Sequence, residues 1–498
     1  MKHNSVVEAI CCHSLDLPDK LCVADRSSAY SYSAFFRLIG QYAACFASLH
    51  IGRQDKVILE ASQTADLPAA AFALHLLGAV FVPVERNCSA EKILSIAGRC
   101  AAALIVSSKT PAAESPKSMT TGELKALVRE FPPSPVPDVF PAGDELCEIL
   151  FSTGTTGKEK GIMLSHRNEV AAAENIVCGS KMDSGVTELI PSPLNHSHGL
   201  RSFYANMLCG GTVILHESIM DLNGFFRAME QYRVNAVDLV PSALSAILKF
   251  SGGKLGEYRD QMRYMEFGSE AMLASDRQTL TGLLPGIPLY NYYGSTESGR
   301  SCVFDFNSGN DKHGCIGRAT VNSRIVIMDE TRKPIVSSPE RTGLIASAGP
   351  MNMVGYWQDA EETARAGDGT YIYSSDEAYI DSDGDIILLG RTNDVINIGG
   401  KKVSPAEIEN AAVQFPAVAD CGCTAVSDSV TGQAAKLFLQ LRTDAVFERK
   451  AFLAFLSEKL EPYKVPKQIE IIPKIPRTYN GKLIRRQLKD LSGNTPRG

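Results

Sequence analysis

The stretch from Ile149 to His166, Ile-Leu-Phe-Ser-Thr-Gly-Thr-Thr-Gly-Lys-Glu-Lys-Gly-Ile-Met-Leu-Ser-His, gathers the groups that hold a phosphate. Ser152, Thr153, Thr155 and Thr156 offer hydroxyl donors, Gly154 and Gly157 let backbone amides close on an anion, and Lys160 adds a positive charge. The apolar run Ile149-Leu150-Phe151 reads as a buried strand, which puts the polar turn at a strand end. Gly154-Thr155-Thr156-Gly157-Lys158 does not keep the Walker spacing, which argues against a P-loop kinase or ATPase.

A second chemical stretch is Tyr290-Asn-Tyr-Tyr-Gly-Ser-Thr-Glu-Ser-Gly299. The Asn291 amide can read an adenine edge, Tyr293 offers a flat face, Thr296 a donor to a phosphoryl oxygen, and Glu297 a hard oxygen for Mg²⁺. In Tyr371-Ile-Tyr-Ser-Ser-Asp-Glu-Ala-Tyr-Ile380 the spacing places Asp376 at a strand end, where a carboxylate can accept from both ribose hydroxyls. His196 and His198, two apart, could face one way on a strand and suggest a metal, but no third ligand sits nearby. Asp381-Ser-Asp-Gly-Asp385 imitates a calcium loop without the sixth-place Gly and twelfth-place Glu, and reads as a hairpin turn. Lys482 follows an Asn480-Gly481 turn that presents it on a protruding loop.

In their order, these segments resemble the adenylate-forming superfamily of acyl-CoA synthetases, luciferases and peptide-synthetase adenylation domains. The phosphate loop matches except that Glu159 replaces the usual Pro, and Tyr293 to Glu297 fits the Tyr-Gly-x-Thr-Glu signature. The resemblance implies that Gly268, Ser269, Glu270, Asn291, Tyr292, Tyr293, Gly294 and Ser295 meet nucleotide, together with Asp376, Arg391, Gly399 and Gly400. It implies an acid pocket lined by His196 as an aromatic gate, with His198, Gly199, Arg201, Ser202 and Tyr292. Arg201 could meet a second carboxylate, and Tyr292 stands where Gly would leave length for an aromatic or long acyl group.

Pro476-Arg-Thr-Tyr-Asn-Gly-Lys482 matches the element that carries the family's catalytic lysine, with Thr296 and His196 as its companions at the reacting centre. Asn393 falls at the hinge, where Asp or Lys is usual. The implied reaction is activation of a small or polar acid by ATP and Mg²⁺, followed by transfer to coenzyme A. Transfer to the phosphopantetheine of a separate acyl carrier protein is the alternative, kept open by Glu270. A non-catalytic nucleotide-binding paralog is a second alternative, opposed by the joint presence of Lys482, Thr296, Glu297 and Asp376.

The elements that must position these groups follow an α/β pattern. Lys56–Glu60, Phe81–Val84 and Ala102–Val106 read as strands, separated by an amphipathic stretch up to about His50 and an Ala-rich helix. Ser165 is a plausible N-cap, and Ser404-Pro405 starts a later helix. A length of 498 residues calls for more than one domain. The expectation is a large N-terminal domain of layered α/β sheets over 1–390 and a small mobile α+β C-terminal domain over 391–498. Composition, 44% apolar and 21% charged, is that of an ordinary globular protein, and the net charge of −6 gives no general affinity for nucleic acid. The thirteen cysteines are scattered without metal-site spacing and point to a reducing, cytoplasmic compartment. The N-terminus does not read as a signal peptide, and the apolar window over 69–84 is too short to cross a membrane. A monomer or homodimer is expected.

Overall fold

The computed structural model describes residues 3–109, 116–153, 159–270, 272–309, 312–477 and 483–493. Among them run three sheets, of seven, thirteen and five strands. The seven-stranded sheet has a parallel body, and its strand β1 (Leu146–Thr153) carries Ser152 near its carboxyl end. Its antiparallel partner β2 (Glu159–Ser165) pairs Ser152 with Lys160 and Thr153 with Glu159. Helix α1 (His166–Gly179) follows at once, capped by Ser165 in a box with Asn168.

The thirteen-stranded sheet has six parallel strands flanked by antiparallel ones at both sides. Those that matter here are β3 (Thr187–Ile190), β4 (Ala236–Leu239), β5 (Tyr264–Phe267) and β6 (Leu289–Ser295). Beyond them lie β7 (Gly299–Asp305), β8 (Tyr371–Ile380) and β9 (Ile386–Arg391). Helix α2 (Ser197–Cys209) packs on α1, with every residue from Gly199 to Met207 buried. The Ala-rich helix Asp66–Leu76 is buried on all sides, as expected of a helix apolar around its whole circumference. From Ile396 onward a five-stranded sheet has its own core, including Ile396, Val403, Ile408, Val418, Leu437 and Phe452, and helix α3 (Arg485–Gly493) packs against it.

The strands expected at 56–60, 81–84 and 102–106 are present, as are helices capped by Ser165 and Ser404. Two placements differ. His196 and Ser197 open helix α2 rather than a strand, so His196 and His198 point to different sides. Asp376 lies inside β8, not at its end, because the strand continues past a register shift at Glu377. All thirteen cysteines are free thiols, and no helix among the described residues is long and apolar enough to cross a membrane.

Asp381–Asp385 is indeed the β8–β9 hairpin turn. The Lys312 ammonium stands where a cation would, 2.6, 2.6 and 2.7 Å from carboxylate oxygens of Asp381, Asp383 and Asp385. Lys312 holds the Asp385 carboxyl below its ordinary value of 3.8 against the opposing effect of burial, with help from Arg318. A carboxylate depressed in this way adds stability above that value and loses it as pH falls through the folded pKa. Lys312→Ala is therefore expected to lower the melting temperature by a few degrees at neutral pH, with the gap to the parent narrowing in acid. Equal melting of the two proteins at neutral pH would show that the knot carries no stability.

Candidate active site

Several of the expected site residues lie at or just past the carboxyl ends of parallel strands, the usual ligand position in an α/β sheet. β1 ends at Ser152–Thr153, β3 leads to His196, β5 to Gly268, and β6 to Thr296–Glu297. Gly154, Thr155, Thr156, Gly157 and Lys482 lie outside the described residues.

On the nucleotide side, Tyr293 donates its hydroxyl to Asp376 Oδ2 at 2.7 Å. Burial and the Asp376 charge push that phenol well above its ordinary pKa, so it stays a donor. Asp376 sits opposite Arg391 in the β8–β9 register. Asn291, Tyr293 and Asp376 are each half-buried, and so open to a ligand. The β6–β7 hairpin closes tightly, since a Cβ on Gly294 would lie 1.8 Å from the Gly299 carbonyl. Its turn bears Thr296, whose Oγ1 is 3.0 Å from Ser197 Oγ, and Glu297, whose Oε1 accepts from the Tyr356 hydroxyl at 2.8 Å. Ser295 Oγ accepts from the Ser298 amide at 3.1 Å. Glu297, a half-buried carboxylate at a strand end, is of the right chemistry for a hard divalent cation.

Tyr356 links the two sheets. Its ring lies 5.1 Å from the Lys160 ammonium, which pairs with Glu362 on the short helix Ala360–Ala366. The Lys160 contact holds Glu362 below the ordinary carboxylate value.

On the acid side, His196 is exposed at the start of α2, and the surrounding protein lowers its pKa by desolvation. Its neighbours in the expected pocket are held differently. His198 Nε2 lies 2.8 Å from Asp238 Oδ1, and its ring abuts Gly268, where a Cβ would come within 3.1 Å. Ser202 is buried and donates to Glu266 Oε1 at 2.8 Å. A Cβ on Gly199 would strike the Ser192 carbonyl at 2.6 Å. Tyr292 is buried, with its hydroxyl 2.7 Å from Ser180 Oγ and donating to the Ile176 carbonyl at 3.2 Å. Ser269 is exposed with φ of 72°, beside half-buried Glu270.

The expectation that Arg201 meets a second substrate carboxylate is corrected. Its guanidinium is only 2% exposed, and Nε and Nη2 donate to Glu169 at 3.1 and 3.0 Å. Nη1 and Nη2 also donate to the Ser295 and Thr296 carbonyls at 3.2 and 3.0 Å, which leaves the group committed inside the protein.

The sequence reading missed the buried charges behind the acid side. Asp238 and Glu266 sit side by side on β4 and β5, and Arg300 on β7 lies 2.8 Å from Glu266 and 4.9 Å from the Tyr292 ring. Burial opposes it, yet His198 and Arg300 keep Asp238 below the ordinary carboxylate value. Glu188 on β3 is pushed well above that value by burial and by Glu266 and Asp238. A carboxylate in each of three adjacent buried strands was the available signal.

Elsewhere, Gly399-Gly400 is an exposed turn in which Gly399 donates to the Thr431 carbonyl at 2.9 Å. The structure does not bring it to the residues above, because a Cβ on Gly399 would meet only Thr431 within 4 Å and one on Gly400 nothing. Asn393 is exposed, and its carbonyl accepts from Lys489 at 2.6 Å.

An α/β protein that brings together an aromatic–carboxylate pair, a hairpin carboxylate and a lysine beside a tyrosine ring is built like the enzymes that adenylate a carboxylate. The model for AMP-binding enzymes matches residues 14–357 and that for their C-terminal domain residues 407–482, and the chain belongs to this family. It is similar to a feruloyl-CoA synthase of Amycolatopsis, 27% identical over 95% of this chain and 96% of the relative. It is also similar to a 2-succinylbenzoate–CoA ligase of Geobacillus kaustophilus, 30% identical over 71% of this chain and 70% of the relative. ATP-bound MatB from Rhodopseudomonas palustris shares the fold with a TM-score of 0.85 at 21% identity, covering 99% of both chains. So does an anthranilate CoA ligase, with a TM-score of 0.85 at 18% identity over 99% of this chain and 98% of the other. The chain is thus an AMP-forming ligase, with ATP as its nucleotide.

The Lys160–Glu362 pair competes with any phosphate that needs the ammonium. Part-exposed pairs are worth about 0.2–1 kcal/mol, so Glu362→Gln is expected to tighten MgATP binding by roughly 1.5- to 5-fold by titration calorimetry. An unchanged or weaker affinity would show that the two anions do not compete.

Proposed function

We propose that this protein is an acid:CoA ligase that activates a small carboxylic acid. The observation that carries this reading is the convergence of Tyr293–Asp376 and Thr296–Glu297 with Tyr356–Lys160, one set from each large sheet. The relatives named above are CoA ligases, which favours coenzyme A over a carrier protein as acceptor.

In the first step an acid oxygen attacks the α-phosphorus and the bond to pyrophosphate breaks; in the second a thiol sulfur attacks the acyl carbon and AMP leaves. Charge builds on the α-phosphoryl oxygens as the acid approaches, so donors must already be aligned there. Thr296 donates to the α-phosphate and Lys482 sits between it and the acid, while the loop from Ser152 to Lys160 holds the β- and γ-phosphates. Glu297 would hold Mg²⁺, which neutralises phosphate charge when bound. Tyr293 stacks on adenine, Asp376 accepts from ribose, and His196 gates the acid.

The small C-terminal domain then turns about Asn393, withdrawing Lys482 and bringing the Gly399–Gly400 face to the thiol path. The anchors on either side support a pivot there. The Thr392 amide donates to the Ser375 carbonyl at 2.8 Å, while Lys489 on α3 holds Asn393 and, at 3.0 Å, Asp394. The two attachments fall on adjacent residues, Thr392 and Asn393. Lys482→Ala is expected to abolish acid-dependent pyrophosphate exchange while sparing CoA transfer from supplied acyl adenylate; equal loss of both steps would overturn this division.

Tyr292 limits the acid. Fixed by Ser180 and Ile176 and backed by Arg300, it cannot swing aside for a longer chain. In a pyrophosphate-release panel run with and without coenzyme A, acids of acetate to butyrate size are expected to turn over best. Tyr292→Ala should shift the preference toward longer acids by about 10- to 200-fold per added methylene. A parent enzyme that prefers long fatty acids would refute the small-acid reading.

A further inference from the structure

We infer that Ser197 and Arg201 are positioning residues for the adenylation step, clamping the Thr296–Glu297 turn from helix α2 without touching substrate. The inference rests on the proposed phosphate and cation roles of that turn.

Three successive carbonyls of the turn are held from the protein side. Arg201 Nη1 binds that of Ser295 at 3.2 Å, Nη2 that of Thr296 at 3.0 Å, and the Met353 amide that of Glu297 at 2.8 Å. A turn fixed at three consecutive peptides cannot rotate about any of them, so its side chains keep one direction. Ser197 then fixes the hydroxyl, with Oγ 3.0 Å from Thr296 Oγ1. Ser197 and Arg201 are four apart on α2, hence on one helix face.

The clamp is itself rigid. Glu169 on α1 meets the planar guanidinium at 3.1 and 3.0 Å, and both residues are 2% exposed, so water does not compete. Nearby, burial and the Glu169 charge push the Glu148 carboxyl well above its ordinary value. Because α2 begins at His196, the clamp also ties the acid gate to the phosphate turn. A misplacement near 1 Å at a reacting group costs about 100-fold in rate, so such a device controls turnover from outside the site.

The test uses the full chain and four variants: Ser197→Ala, Arg201→Lys, Arg201→Met and Glu169→Gln. Ser197→Ala is expected to melt as the parent does and to bind ATP within about 2-fold, yet to lose roughly 10-fold or more in kcat for acid-dependent pyrophosphate exchange. Arg201→Lys should recover only part of the rate lost in Arg201→Met, because one ammonium cannot span two carbonyls and a carboxylate in a fixed plane. Glu169→Gln keeps an acceptor and should fall between them. Hydrogen exchange gives a readout free of turnover: peptides covering 295–298 should exchange at least about 10-fold faster in Arg201→Lys, with the rest of the chain unchanged. Parent-like kcat in Ser197→Ala, or unaltered exchange over 295–298 in Arg201→Lys, would each overturn the clamp. A parent chain that exchanges pyrophosphate with no acid would instead refute the functional reading and leave the exchange experiment to decide the clamp.

Discussion

The ion pair between Arg201 and Glu169 is the interaction on which the site's geometry depends. Both charges are buried, so removing either leaves the other buried without its counter-ion, at about 3–5 kcal/mol. That asymmetry makes the pair a joint. Glu169 stands on the helix that follows β2 of the seven-stranded sheet, and Arg201 reaches from the next helix to the β6–β7 turn of the thirteen-stranded one. On the proposed reading the two sheets supply different parts of a nucleotide site, and a joint that tolerates no half-measure keeps those parts in register.

A second buried polar layer lies behind the acid side. His198 and Ser202 on α2 face Asp238 and Glu266 on β4 and β5, and Arg300 enters from β7 to meet both carboxylates. Further along the helix Asn206 reaches Glu188 of β3. Residues 198, 202 and 206 are one polar stripe at helical spacing, matched to one acid on each strand. The layer's cost is desolvation, offset by the pairing of Arg300 and His198 with the buried carboxylates. Its consequence is shape. Tyr292 is trapped between Arg300 on one side and Ser180 on the other, which would give the proposed acid pocket a fixed wall.

What could be read from the sequence was what is local in it. Apolar runs such as Lys56–Glu60 and the N-cap at Ser165 depend on neighbours in the chain, and they are found where the pattern places them. The Tyr293–Asp376 contact was half legible, because each residue type suited its ligand although their meeting is 83 residues apart. Arg201 was misread for the same physical reason. An arginine beside a histidine-rich segment suits an acidic substrate, but its partners lie 32, 94 and 95 residues away, and only burial reveals that they exhaust it. Asp376 was set at a strand end because polarity rises there, whereas the pairing with β9 carries the strand onward. His196 and His198 looked like strand neighbours until the continuing helical burial of α2 separated their directions.

The remaining problem is charge. A chain of net −6 must admit a polyanion, and its phosphate lysine is already occupied. The arrangement around Tyr356 turns this into an exchange. Lys160 faces Glu362 while the Tyr356 hydroxyl occupies one oxygen of Glu297, so neither the ammonium nor the carboxylate stands alone. On the proposed reading, a phosphate reaching Lys160 would displace Glu362 toward solvent, where a carboxylate is well hydrated, and a metal reaching Glu297 would have only a phenol to displace. Each incoming charge thus replaces a partner of its own sign or a neutral donor. Binding then depends on the difference between two pairings rather than on the full desolvation of a bare lysine, and the cleft can stay formed between turnovers without holding an unpaired charge.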